Sequence, residues 1–201
     1  MTVLAIDKYP TNGHLIAACA QLGYLREDWR TLDPTYGLGV FWSVWRPTFL
    51  VGSDLDPAKS PTGTSVDATA LPHADRSFNS VVIDGPYKLN GTPTDSSRYG
   101  VHEPTRWQDR MGLLSRMLAE GARVLVDGYL LFKCQDQVVS GKVRWQTQVF
   151  ANEAEALGLG LVDRLDYLSY RPQPSGTRQV TARRNASSML VFKRGWRSGV
   201  L

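Results

Sequence analysis

Apolar residues recur along this chain in two rhythms. At 14–22 they fall three and four apart, as on one face of a helix, with Thr11 or Asn12 placed to cap its start and Gly23 to end it. The same spacing returns at 106–121 and 146–157 and predicts two further helices. Between these run short apolar blocks of strand length, at 29–32, 49–54, 64–68, 78–83, 124–133, 159–168 and 188–193. Strands alternating with helices predict an α/β fold, a mostly parallel seven-stranded sheet flanked by helices. The first four blocks close on or beside an aspartate: Asp33, Asp54, Asp67 and Asp84. In an open α/β sheet that carboxyl edge is where ligands bind. The polar stretches 88–104 and 169–187 carry no apolar period and are expected to be loops on the substrate side. With no internal repeat and no linker, 1–201 reads as one domain, with 1–28 as an N-terminal helical flank.

Composition narrows the class. With 42% hydrophobic and 21% charged residues the chain is ordinary for a soluble domain, and its longest early apolar run, 15–20, is too short for a membrane span or a secretory core. A cytoplasmic protein without membrane contact is the expectation. Cys19 and Cys134 stand far apart and outside any CxxC or Cys/His spacing, so they read as buried thiols; His14, His73 and His102 show no ligand or catalytic spacing. The net charge of +4 hides an asymmetry, because seven of the 23 basic residues lie beyond residue 170 in a stretch without acids. The remaining 16 face 19 acidic residues, so the body is negative and the tail is what attracts an anion, or simply a solvated surface.

The candidate chemistry sits at the strand ends. Gly37 and Gly39 offer bare backbone after the first strand, and Asp54 follows about twenty residues later, the offset of a ribose-binding acid. With Asp67 as a partner for an adenine amino group, they describe a pocket for an adenosine-like ligand; taken singly, each aspartate also reads as a turn cap. Neither GxGxxG nor GxxxxGK[ST] occurs, which removes the usual anchors of hydride and phosphoryl transfer. After the block at 78–83, Gly85-Pro86 breaks the ladder and leaves Asp84 and Tyr87 projecting, a carboxylate beside a flat ring.

In this order the segments resemble the class I S-adenosylmethionine-dependent methyltransferases, a Rossmann-like family, and within it the small phage and bacterial DNA amino-methyltransferases that modify adenine N6 or cytosine N4 without a separate target-recognition domain. The segment 32–42 resembles the family's cofactor loop, Gly52-Ser53-Asp54-Leu55-Asp56-Pro57 its ribose-binding strand end, and Asp67-Ala68-Thr69-Ala70-Leu71-Pro72 its adenine-binding segment. The resemblance implies S-adenosyl-L-methionine held by Asp33, Pro34, Thr35, Tyr36, Gly37, Gly39, Phe41, Asp54, Leu55, Asp67, Ala68 and Asp84. Asp84-Gly85-Pro86-Tyr87 stands where the family has Asp-Pro-Pro-Tyr and is the implied catalytic set, with Gly85 as the departure. An exocyclic amine is a poor nucleophile, and hydrogen bonds from it to the Asp84 carboxylate and to the carbonyl of residue 85 favour the tetrahedral nitrogen that attacks a methyl group. Tyr87 is expected to stack on the base, Lys133 to stand at the pocket's rim, and Lys133, Lys142, Arg183 and Arg184 to meet phosphates. Nucleic acid, DNA first, is the implied partner, with a homodimer or a specificity partner as further company. Two alternatives stand beside this reading: an RNA methyltransferase acting on guanine N2, and a cofactor- and nucleic-acid-binding module without catalysis.

Overall fold

The computed structural model describes residues 9–89, 106–168, 182 and 184–196. Helix α1 (Asn12–Gln21) starts on Thr11, whose hydroxyl accepts the His14 N–H at 3.4 Å. Strands β1 (Arg30–Asp33), β2 (Phe49–Gly52), β3 (Phe78–Ile83) and β4 (Leu125–Cys134) are parallel and lie in the order β2-β1-β3-β4. Two antiparallel strands complete the sheet, β8 (Ala186–Arg194) beside β4 and β7 (Leu159–Leu168) at the edge. A separate hairpin, β5 (Gln137–Val139) and β6 (Lys142–Arg144), turns through Ser140 and Gly141, both at positive φ, 51° and 74°. That pair of left-handed residues is what a two-residue hairpin turn requires.

Both faces of the sheet are covered, and the strands alternate between two cores. Val81, Ile83, Leu130, Phe132, Leu190 and Phe192 face α2 (Trp107–Val124) and α3 (Gln146–Ala156). Val82, Leu131, Met189 and Val191 face α1 and the short 3₁₀ turn Val40–Trp42. Among the described residues no helix is long and apolar enough to cross a membrane.

The main sheet holds six strands among the described residues, one fewer than the apolar pattern predicts. The block at 64–68 makes a single bridge, Asp54 to Ser65. Its side chains bond locally instead: Ser65 Oγ donates to the Leu55 carbonyl at 2.7 Å, and Asp67 accepts both the amide and the hydroxyl of Thr69 at 2.8 Å. Such local bonds compete with a ladder, and only Ala68 of the block is fully buried to reward one. The register then sets up the site. Leu32 pairs with Val81 and Ile83 with Phe132, so the ends of β1, β3 and β4 bring Asp33, Asp84 and Lys133 to one place.

Candidate functional site

At the end of β1 the Asp33 carboxylate is buried and fully engaged. Its Oδ1 accepts the Thr35 amide (2.9 Å) and hydroxyl (3.1 Å), and its Oδ2 accepts the Trp42 indole N–H at 2.8 Å. Burial still dominates these bonds, with the nearby Asp84 charge adding to it, and pushes the Asp33 carboxyl up to about 7. The Thr35 hydroxyl also accepts the Asp84 amide at 2.9 Å, tying the end of β1 to the end of β3.

Beyond Thr35 the loop is shaped by a ring. Tyr36 lies across Gly39 and Gly52, where an added Cβ would come within 2.8 Å of its hydroxyl and 2.5 Å of its ring. Gly39 also holds φ +68°, so a side chain there is excluded twice over. The Gly37 amide donates to Asp54 Oδ2 at 2.9 Å, and Asp54 Oδ1 accepts the Asp56 amide at the same distance. The glycine loop and the second strand end, matched in the sequence by spacing, are thus joined by a hydrogen bond, and each Asp54 oxygen keeps acceptor capacity.

These strand ends enclose a cavity of about 780 Å³. It is lined by Asp33, Pro34, Thr35, Tyr36, Gly37, Phe41, Asp54, Leu55, Asp67, Ala68, Asp84, Gly85 and Pro86, and from the helices by Asn12, Leu113 and Met117. Of the cofactor residues expected from sequence, Gly39 alone is not on the wall; it acts from behind, by admitting Tyr36. A second, more open depression of about 640 Å³ beside α1 and Trp45 carries none of this strand-end chemistry.

Asp84 lies on the cavity wall. About a quarter of its side chain (26%) reaches the opening, but the carboxylate is surrounded by protein, and that burial raises its pKa while Lys133 opposes the rise. Lys133 Nζ is 3.4 Å from both oxygens and donates to Oδ2; Oδ1, itself enclosed, accepts no hydrogen bond. Next along the chain, the Gly85 carbonyl accepts the Tyr87 amide at 2.7 Å, a tight turn about Pro86. A Cβ on Gly85 would meet Leu114 and Met117 of α2 at 2.8 and 2.9 Å, so glycine is what lets the helix pack this close.

Two glutamines absent from the sequence-derived site hold Tyr87. Its carbonyl accepts the side-chain amides of Gln137 (2.6 Å) and Gln146 (2.7 Å), and Gln146 is fully buried. No periodicity marks them, because they act as polar anchors between the hairpin, α3 and the turn.

Lys133 corrects an expectation. The sequence places it at the rim; the structure leaves it only 2% exposed, bonded to Asn12 Oδ1 at 3.0 Å and to Asp84. It enters from the α1 face of β4, where three aromatic rings close over it. Lys142 is exposed near the hairpin tip, and Arg184 is exposed with its guanidinium 4.6 Å from the ring centre of Trp145. Arg183, most of 88–104 and most of 169–187 lie outside the described residues.

No protein-family model matches the chain, and no curated protein matches it. Solved structures do. One, from Galdieria sulphuraria and provisionally designated a sarcosine dimethylglycine methyltransferase, is 11% identical with TM-score 0.58, over 92% of this chain and 86% of that one. A TehB-like SAM-dependent methyltransferase from Corynebacterium glutamicum is 14% identical with TM-score 0.52, over 92% and 89%. The [4+2]-cyclase SpnF is also 14% identical, with TM-score 0.53, over 90% and 80%. The fold is therefore the Rossmann-like fold of class I methyltransferases. At these identities the likeness is one of fold, and a cyclase among the matches shows that function must be argued from the site.

Proposed function

We propose that this chain is an S-adenosylmethionine-dependent methyltransferase acting on the exocyclic amino group of a nucleic-acid base, with DNA adenine N6 or cytosine N4 as the first choice. The observation that carries it is Asp84: a strand-end carboxylate on the cavity wall, with about a quarter of its side chain (26%) open, beside the loop 33–37. A carboxylate presented to a cavity is an acceptor for an incoming donor, and an amino group supplies one. The Gly85 carbonyl, bonded to the Tyr87 amide, keeps a second lone pair and would serve as the other acceptor without the missing proline.

The wall fits the cofactor. Asp54 is suited to the ribose hydroxyls and Asp67 to the adenine amino group, while Asp33 and the loop 34–37 with Phe41 line the remainder. When bound, S-adenosylmethionine supplies an activated methyl group on a cationic sulfur. The chain's task is to orient the amine, by hydrogen bonds to Asp84 and the residue 85 carbonyl, and to take up its proton at the Asp84 carboxylate. Tyr87, half-buried beside them, is placed to stack on a base, and stacking of that kind is worth about 1–3 kcal/mol. Lys142, Arg184 and Trp145 add charge and a half-exposed ring on the same side.

The test is transfer of labelled methyl from S-adenosylmethionine to DNA, RNA and free nucleotides, with the modified position read by mass in the digested product. We expect transfer to DNA, and Asp84→Ala to lose about 100-fold or more while still binding cofactor. Labelling of guanine N2 in RNA would replace DNA as the substrate. Cofactor binding without transfer to any acceptor would leave the binding-module alternative in its place.

A further inference from the structure

Lys133 is the buried cation of this site, and its surroundings are built for it. Its ammonium donates to Asn12 Oδ1 at 3.0 Å and to Asp84 at 3.4 Å. It lies 5.0, 5.4 and 5.9 Å from the ring centres of Phe41, Tyr87 and Tyr167. These contacts come from α1, the 3₁₀ turn, the turn after β3, and β7, four separate parts of the chain. A lysine this enclosed is tolerated only when paired, and the rings add cation–π attraction where water is absent. Lys133 is the cation in contact with Asp84; Lys59, paired with Asp56 at 3.2 Å, also lines the cavity. β1 presents Asp33, a second carboxylate; α1 presents Asn12; α2 presents Leu113, Leu114 and Met117, which are uncharged.

We infer that Lys133 is a positioning residue for Asp84: its ammonium, anchored by Asn12 and boxed by three rings, fixes the carboxylate at the cavity wall and favours its charged form. This rests on the methyltransferase reading for its purpose, because a proton-accepting carboxylate must be charged when the amine arrives. It does not rest on that reading for its physics. Two carboxylates, Asp33 and Asp84, share a water-poor corner; without Lys133 both burial and mutual repulsion favour protonating one of them. The inference also gives α1 a part in the site, since Asn12 is its first residue and reaches Lys133 directly.

The experiment is a pH titration of the aspartate carboxyls by NMR in the full chain, with the Asp84 signal assigned by its loss in Asp84→Asn. Lys133→Met is expected to raise the Asp84 midpoint by about one unit or more, and Lys133→Arg, which keeps the charge, to leave it close to wild type. Asn12→Ala, which frees Lys133 from its anchor without removing it, is expected to move the midpoint in the same direction by less. It also carries the test if the methionine variant does not fold. An unmoved midpoint in both Lys133→Met and Asn12→Ala overturns the inference, as does an equal rise in Lys133→Met and Lys133→Arg. In turnover, the acid limb of kcat should rise with the Asp84 midpoint while KM for the cofactor stays within about twofold. The carboxyl titration needs no turnover: a chain that transfers no methyl but whose Asp84 still follows Lys133 removes the proposed function and keeps this inference.

Discussion

Three hydrogen bonds donated to Asp33 favour its charge, and its enclosure opposes it; enclosure prevails and the carboxyl sits at about 7 against an ordinary 3.8. Between those two values the folded chain keeps a proton that the unfolded chain has lost. Stability therefore falls as pH rises through this window, and Asp84, also raised, acts in the same direction. We predict that wild type loses about 2–3 kcal/mol more than Asp33→Asn between about pH 5 and pH 8, measured by urea unfolding. Parallel slopes for the two proteins would show that Asp33 does not titrate there. Residue-level chemistry was only partly legible in the sequence. Asp33, Asp54 and Asp84 stand where apolar blocks stop, so local pattern finds them. Lys133 also closes an apolar block and looks like a solvated strand end, because the groups that bury it, Asn12, Phe41 and Tyr167, are distant in the chain. Gly85 looks like a departure from a family pattern until α2 is in view; Leu114 and Met117 fill the space a side chain would take.

Among the elements, two strands were legible to the residue: 78–83 is β3, buried in the middle of the sheet, and 159–168 is β7 at its edge. The hairpin was not, since each of its strands has three residues and its anchors are polar. Its turn signal was the pair Ser140-Gly141, whose backbone suits only a few residue types. The hairpin's importance follows from Gln137, whose amide reaches the Tyr87 carbonyl from β5 while Gln146 reaches it from the start of α3. One amide can hold the turn when the other is lost; losing both leaves a carbonyl unpaired in a half-buried place. Each single alanine variant is therefore expected to cost about 1 kcal/mol, and the double variant more than the sum of the two. Methyl transfer should fall further in the double variant than in either single one, with KM for the acceptor rising, because Tyr87 is the displaced group. A double variant that is simply additive in both stability and KM would separate these glutamines from the positioning of Tyr87.

Taken whole, the molecule places unlike charges at one edge of its sheet. The cavity wall carries Asp33, Asp54, Asp67 and Asp84 against a single cation among the described residues, Lys59, whereas the surface beside the hairpin carries Lys142, Arg144 and Arg184. Two of these cations lie over indole rings: Arg144 is 4.0 Å from the ring centre of Trp107, and Arg184 is 4.6 Å from that of Trp145, which is 49% exposed. An acidic interior suits a cationic cofactor and repels a polyanion, so under the proposed function phosphates would stay at the rim and only a base or other neutral group would be drawn inward. Guanidinium groups on indoles also present flat faces to unstacked bases, which favours a strand that is at least locally opened. This division predicts that Lys142→Ala with Arg184→Ala weakens binding of oligonucleotides of any sequence and lowers the slope of log affinity against log salt by about 1–2. Affinity for S-adenosylmethionine should not change, because neither residue lines the cavity. Fluorescence anisotropy on single- and double-stranded oligonucleotides at several salt concentrations, beside calorimetric titration of the cofactor, reads both quantities. An unchanged salt slope would place the phosphates elsewhere, and a parallel loss of cofactor affinity would mean that rim and cavity are not the separate surfaces described above.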